Sequence, residues 1–352
     1  MSTFVSSFLI VRAIRQDDFA GLMALAGEVG PGMTTLKADA TMLGHRLEVA
    51  LASFAEQIPP QQRDYLFVME DPSAHQIVGV CAIKAAVGLD QPFYNYRLGT
   101  IVHASRAIEV FSRMQTLTLS NDLTGCAELC SLYLHPAYRS GNNGRLLSKS
   151  RLLFMAQFPH LFASKVIAEM RGFQDADGNS PFWDSLGRHF FKMDFNRADD
   201  LSSLGKRSFI AELMPRHPVY VAYLSAQVQQ LIGQVHEASA PARRLLEQEG
   251  MYYEGFVDIF DAGPVLQARI SELRALREST LAVIDDVAAE DSSSLALLVA
   301  SNSMQDFRVM LSGSGQHPGH LGLSTPAQEA LGCRTGDTVR ILPLNPKKPV
   351  HD

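Results

Sequence analysis

Apolar positions recur in two periods along the first half of the chain, and the switches between them mark its elements. Phe8-Leu9-Ile10-Val11 is a four-residue apolar run closed by Arg12 and Arg15, which predicts a strand. Gln16-Asp17-Asp18 then opens a helix with acidic residues in its first turn and Leu22, Met23, Leu25 and Ala26 on one face; Gly30-Pro31-Gly32 ends it. A second helix is predicted over 38–57, where Leu43, Leu47, Ala50, Leu51 and Phe54 form one stripe before Pro59-Pro60. Two strands, 64–70 and 76–86, are joined through Asp71-Pro72-Ser73. Cys130-Ser131-Leu132-Tyr133-Leu134 alternates and stops at His135-Pro136. A loop with Arg139, Gly141, Asn142, Asn143 and Gly144 follows, and Leu146, Leu147, Leu152, Leu153 and Met155 return at helical spacing. A further strand covers 165–170, and Pro181 stands at the first position of a helix over 181–191 capped by Ser180. Residues 286–294 are acidic and serine-rich, a linker, and short β runs at 295–300, 307–311 and 338–342 make a small β subdomain with an exposed tail at 345–352.

The chain has 352 residues, enough for two domains or one large domain with an appendage; 46% are hydrophobic and 19% charged, as in an ordinary globular protein. A net charge of −6 argues against a nucleic-acid partner. Cys81, Cys126, Cys130 and Cys333 lack zinc-type pairing and read as reduced thiols. No export signal and no apolar run near the ~20 residues of a membrane span is visible, which predicts a cytoplasmic protein.

The strand-loop-helix at 130–155 suits a pyrophosphate, because a helix start offers unpaired N–H groups and a positive dipole end. Neither G-x-x-x-x-G-K-[ST] nor a Rossmann G-x-G-x-x-G is present. The loop resembles the [RQ]-x-x-G-x-[GA] acyl-CoA loop of the GCN5-related N-acyltransferases. Arg139 and Gly144 match its ends and Asn142 replaces the middle glycine; Asn tolerates positive φ, so the loop is expected to keep its shape.

Eight further blocks resemble the arginine N-succinyltransferase family, from about residue 8 to about residue 280. They are Phe93-Tyr94-Asn95-Tyr96-Arg97, Val102-His103-Ala104-Ser105, Leu119-Ser120-Asn121-Asp122-Leu123-Thr124-Gly125, Ala168-Glu169-Met170-Arg171-Gly172, Ser180-Pro181-Phe182-Trp183, Phe209-Ile210-Ala211-Glu212-Leu213-Met214-Pro215, Ile232-Gly233-Gln234-Val235-His236 and Asp258-Ile259-Phe260-Asp261-Ala262-Gly263-Pro264. The resemblance implies transfer of a succinyl group from succinyl-CoA to the α-amine of L-arginine, giving N2-succinyl-L-arginine and CoA, the first step of a bacterial route of arginine catabolism. It implies an α+β fold with a mixed, helix-flanked sheet, of which strand, two helices and hairpin are the opening order. Helix-then-glycine segments at 187–191 and 242–251 resemble those that close N-acyltransferase domains and suggest a degenerate second half. The expected division is 1–200, 201–285 and 286–352.

The same resemblance implies His236 as the proton-handling residue, ahead of His103, His135, His189 and His217. Leu132 is the expected acyl-CoA contact, through its backbone, and Arg139, Gly141, Asn142, Asn143 and Gly144 are expected to hold the pyrophosphate. Lys149 and Arg151 are either a solvated helix face or a reach toward the 3′-phosphate. A guanidinium calls for carboxylates, with candidates Asp122, Glu169, Glu212, Asp258 and Asp261, and the succinyl carboxylate for Arg97 or Arg171. Ser120-Asn121-Asp122 and Ser180-Pro181-Phe182-Trp183 are candidate pocket walls, with Trp183 itself in the core. No metal and no permanently bound cofactor is expected; succinyl-CoA is a co-substrate. Small-molecule substrates are the expected partners, in a homo-oligomer or with a related subunit, and no nucleic acid or membrane. The alternatives are another amine such as ornithine, another donor such as acetyl-CoA, or a supporting chain of a two-subunit enzyme.

Overall fold

The computed structural model describes residues 8–29, 33, 35–203, 208–285, 296–313, 316–317 and 319–346, so the expected linker at 286–294 and the helix stop at Gly30-Pro31-Gly32 lie outside the described residues. Strand β1 (Ile10–Ala13) is wholly buried. Helix α1 (Phe19–Glu28) buries Leu22, Leu25 and Ala26. Helix α2 (Ala40–Phe54) starts where the Asp39 carboxylate accepts the N–H groups of Thr41 and Met42, both at 2.9 Å, and buries Leu43, Leu47, Ala50 and Phe54 of the expected stripe.

Strands β2 (Asp64–Asp71) and β3 (Gln76–Lys84) form the first hairpin. Strands β4 (Asn95–Ser105) and β5 (Val110–Ser120) form a longer one that the sequence pattern does not announce. Strand β6 (Ala127–Leu134) feeds the glycine loop and helix α3 (Asn143–Gln157), and β7 (Lys165–Glu169) returns parallel to β6. The single helix expected over 181–191 is two, α4 (Pro181–Ser185) and α5 (Gly187–Phe191). Leu186, at φ −130° and ψ −69°, breaks them, and Gly187 lies so close to Trp183 that a Cβ would stand 2.3 Å from its ring. Ser180 caps α4 as expected, its Oγ accepting the Trp183 N–H at 3.2 Å.

Helices α6 (Phe195–Ser203) and α7 (Ser208–Leu213), strand β8 (Val219–Tyr220) and helices α8 (Ala226–Leu231) and α9 (Ala240–Gln248) lead to β9 (Tyr252–Asp258) and β10 (Pro264–Arg269). Helix α10 (Arg274–Glu278) precedes β11 (Thr280–Asp285), β12 (Leu297–Ala300), β13 (Arg308–Ser312), β14 (Gln316–His317), β15 (His320–Gly322), helix α11 (Thr325–Leu331) and β16 (Thr338–Pro343). Thus β12, β13 and β16 are the three short runs expected near the end.

Among the described residues sixteen strands form one sheet in the order β14-β15-β11-β16-β12-β13-β1-β2-β3-β6-β7-β10-β9-β4-β5-β8. It is a mixed α+β sheet: β6–β7 and β11–β15 pair parallel, and the other described pairs are antiparallel. The joint is β1, which pairs with β2 on one edge and β13 on the other, Ile10 opposite Met310 and Arg12 opposite Arg308. On one face α3 packs Phe154 among Tyr65, Phe67 and Phe307, ring centroids 4.9 to 5.1 Å away. Each such buried side chain contributes roughly 1.5–3 kcal/mol. Helices α1 and α2 cover the other face. A second core around Tyr96, Leu117, Trp183 and Val257 covers the β9–β4–β5 end; Trp183 is fully buried and donates its indole N–H to Met193 O at 3.0 Å. Among the described residues no helix is long and apolar enough to cross a membrane.

Candidate functional site

Strand β6 shifts register against β3 at its middle. Val80 of β3 faces Tyr133 but Ala82 faces Cys130, so Ser131 and Leu132 together oppose Cys81, a β-bulge. Ser131 holds φ +53° and is anchored there: its hydroxyl accepts from Arg46 Nη1 at 2.8 Å and donates to Thr35 Oγ1 at 2.9 Å. The pairing of β6 with β7 is confined to Ala127 opposite Val166 and Glu128 opposite Ile167. Beyond Glu128 the two strands part, and Leu132, half-buried against the main core, lies along that opening. A ligand carrying amide groups can continue the interrupted ladder there.

The loop below it is braced from within. His135 Nδ1 accepts the Ala137 N–H at 3.2 Å, Tyr138 donates its hydroxyl to Asp71 at 3.0 Å, and Asn143 Nδ2 donates to Tyr138 O at 3.0 Å. Arg139 donates Nε to Leu134 O at 2.8 Å and lies 5.5 Å over the Tyr133 ring. Asn142 does not take up positive φ, contrary to the expectation: it sits at φ −109° and Gly141, at +56°, makes the turn. Leu146 is the first residue of α3 whose N–H reaches an i−4 carbonyl, Asn142 O at 2.9 Å. Among the described residues the N–H groups of Gly141, Asn142, Gly144 and Arg145 find no protein acceptor, an array suited to an anion.

Lys149 and Arg151 are neither a solvated face nor phosphate ligands. Both are buried. Lys149 pairs with Glu249 at 2.7 Å and donates to Leu344 O at 2.6 Å, and Arg274 meets the same carboxylate at 2.9 Å. Arg151 donates to the carbonyls of Ser148 (3.2 Å) and Cys130 (3.3 Å) and to Ser148 Oγ (3.1 Å). Helical spacing marks a face but not what lies across it.

The segment leaving β7 meets the loop after α8. The His236 N–H donates to Arg171 O at 2.8 Å and the Gly233 N–H to Ala262 O at 2.9 Å. His236 Nδ1 accepts the Ala238 N–H at 3.2 Å, which leaves the proton of the neutral ring on Nε2. Burial pushes the His236 pKa down, the Arg171 guanidinium pushes it further, and Glu237 opposes both. Beneath them Asp261 is buried and accepts the N–H groups of Gly172 at 2.7 Å and Gly263 at 2.9 Å. Burial, with the charge of Asp258, raises its carboxyl well above the usual range. A Cβ on Gly263 would stand 2.0 Å from Met170 O, and one on Gly172 2.4 Å from Asp261 O, so the platform requires both glycines.

Glu169, Arg171, Asp258 and Asp261 are therefore gathered at the ends of β7 and β9, where the loop after α8 brings His236 against Arg171. Asp258 Oδ1 accepts the N–H groups of Phe260 and Asp261 and shapes the turn. Asp122 forms an exposed ion pair with Arg97 at 3.1 Å, and Arg97 stacks 5.3 Å over Phe256. Glu212 is exposed on α7, and among the described residues no hydrogen bond or ion pair ties it to His236 or Arg171. His103 meets the Tyr220 hydroxyl at 3.1 Å and His135 meets Glu28 at 3.2 Å.

Three residues at this site carry no charge and escaped the sequence reading. Asn95, 1% exposed, donates Nδ2 to Glu169 at 2.7 Å and leaves Oδ1 unpartnered. Gln174, 5% exposed, accepts Arg171 Nε at 3.1 Å, with Nη2 on the same oxygen, and leaves Nε2 unpartnered. The Tyr253 hydroxyl, also unpartnered, stands 2.8 Å from the place of a Cβ on Gly233. A buried polar atom left unpaired costs about 1–3 kcal/mol, so each calls for a partner.

Comparison with known proteins places this geometry in a lineage. The family model described as Arginine N-succinyltransferase beta subunit matches residues 9–275, and that of its C-terminal domain residues 277–343. An arginine N-succinyltransferase of Enterobacter sp. (strain 638) is 46% identical over 340 residues, 97% of this chain and 99% of its own. That of Salmonella schwarzengrund (strain CVM19633) is 46% identical over 335 residues, 95% of this chain and 97% of its own. The structure of arginine/ornithine succinyltransferase subunit AI from Pseudomonas aeruginosa superposes with a TM-score of 0.88 at 34% identity, covering 97% of this chain and all of that one.

Proposed function

The chain belongs to the arginine N-succinyltransferase family, and from that premise we propose that it transfers the succinyl group of succinyl-CoA to the α-amine of L-arginine. It is an acyltransferase with the α+β fold of the acyl-CoA N-acyltransferases, and its acyl-CoA is a co-substrate. The likeness over 97% of this chain and 99% of its relative carries this reading.

Attack on a thioester needs an amine lone pair, donors for the oxyanion and a proton for the leaving thiolate. Our reading gives the thioester arm the opening between β6 and β7 at Leu132, and the pyrophosphate the N–H groups of Gly141, Asn142 and Gly144 flanked by Arg139 and Asn143. The geometry of that opening and the array of free N–H groups support it. His236, neutral with Nδ1 held by Ala238, then offers Nε2–H as a hydrogen bond to the charge that develops on the thioester oxygen or the departing sulfur, and the proton shed by the attacking nitrogen is the one the leaving thiolate takes up. Glu169, Arg171 and Asp258, at the same strand ends, are the substrate-facing charges; Asp122 and Glu212 have weaker support. Holding donor and amine side by side supplies much of the rate. The family supports a place in arginine catabolism, and its acyl-CoA donor a cytoplasmic one. The relatives' descriptions as subunits support assembly with a second copy or a related chain.

The test is the purified chain alone with succinyl-CoA, read as free CoA thiol. Release that requires L-arginine is the expected result. Release with ornithine or from acetyl-CoA in preference redirects the substrate assignment, and release only when a second polypeptide is added makes this a supporting chain.

A further inference from the structure

Resting on the acyltransferase reading, the geometry points to Asn95 and Gln174 as the polar poles of the acceptor pocket. We propose that Asn95 Oδ1, beside Glu169, receives N–H groups of a cationic amino acid, and that Gln174 Nε2, beside Arg171, donates to a carboxylate.

Both amides are oriented by what they already bind. Turning Asn95 over would set its oxygen against the Glu169 carboxylate, 2.7 Å away, so the network fixes Nδ2 on Glu169 and leaves Oδ1 open. Turning Gln174 over would aim N–H groups at the Arg171 guanidinium, so Oε1 stays on Arg171 and Nε2 is open. One pole thus offers an acceptor next to a carboxylate, the other a donor next to a guanidinium. They flank the segment that carries the site. Asn95 opens β4 opposite Asp258; Glu169 ends β7; Arg171, two residues on, holds the His236 N–H through its carbonyl. Side chains this buried with an unused polar atom fit a site completed by its ligand. A zwitterion with a cationic tail matches the two poles in sign. The carboxylate at the Gln174 pole has two sources, the amino acid or the succinyl group.

The experiment measures KM for L-arginine, KM for succinyl-CoA and calorimetric CoA affinity for the full chain with Asn95→Leu and, separately, Gln174→Glu. The second substitution keeps an oxygen for Arg171, turns the unpartnered donor into an acceptor and adds a negative charge that repels a carboxylate. Asn95→Leu is expected to raise KM for arginine tenfold or more, with KM for succinyl-CoA and CoA affinity within twofold. Gln174→Glu is expected to raise one KM by a similar factor at unchanged CoA affinity. A rise for arginine assigns the pole to the amino-acid carboxylate, and a rise for succinyl-CoA assigns it to the succinyl carboxylate. Should Asn95→Leu fail to fold, Gln174→Glu decides alone. Variants that keep both KM values overturn the proposal while the parent reading stands. A wild-type chain that neither binds CoA nor releases it overturns both.

Discussion

At the scale of single residues the site is a problem in proton control. His236→Ala should lower turnover by roughly 10²- to 10⁴-fold with CoA affinity kept, and wild-type turnover in that variant would remove the ring from the chemistry. Arg171 bears on the same ring through its charge, which favours the neutral imidazole. The neutral ring is the one with Nδ1 free to accept from Ala238, so protonation should shut the site down on the acid side, below the ordinary histidine value. In Arg171→Gln the depressing charge is gone, the His236 pKa rises, and the acid limb of kcat/KM should move to higher pH. A limb that stays put or moves down in the pH–rate profile sinks this account.

At the scale of elements, helix α3 does two things, one at its first turn and one at its middle. Its first turn is open: a Cβ on Gly144 would touch nothing within 4 Å. Gly144→Val should therefore leave the fold intact and, by bulk against the diphosphate, weaken CoA binding by an order of magnitude or more; unchanged affinity in calorimetry would count against the loop. The middle of the helix is clamped. Glu249 stands between Lys149 and Arg274, all three side chains within 2% of full burial, and the two cations also bind the carbonyls of Leu344 and Pro343. Glu249→Leu strands two buried charges and should cost about 3–5 kcal/mol, visible as a drop in the denaturant midpoint. A loss under 1 kcal/mol would mean the pair is solvated. Sequence reading found α2 and the β6-loop-α3 unit because their signals are local. The role of Lys149 is hidden because its acceptor Leu344 O lies 195 positions away, and that of Arg151 because helical spacing does not say which face is covered. The β4–β5 hairpin is hidden because only residues 95–97 of β4 join β9, and the rest, half-buried or exposed, carries no apolar alternation. Charges such as those of Glu169, Arg171 and Asp258 mark themselves as candidates in a sequence, whereas Asn95 and Gln174 do not, since nothing local tells a buried amide from a surface one.

At the scale of the whole molecule, the C-terminal strands complete the sheet and its core. Strand β13 covers one edge of β1, and Phe307 packs 5.0 Å from Phe154 of α3. A chain ended at Asp285 would lose both, together with the carbonyls that receive Lys149 and Arg274. It should lack a cooperative unfolding transition; a fragment 1–285 that melts as sharply and as late as the full chain would show the two parts to be independent.

The pairing of β1 with β13 also sets a timetable for biosynthesis. About 300 residues separate the two strands, which at the ribosome's pace of 5–20 residues per second is on the order of 15–60 s. Throughout that interval the nascent chain carries an unzipped rim able to recruit any neighbouring strand. Strand β1 is thus made about 300 residues ahead of the strand that seals its second edge.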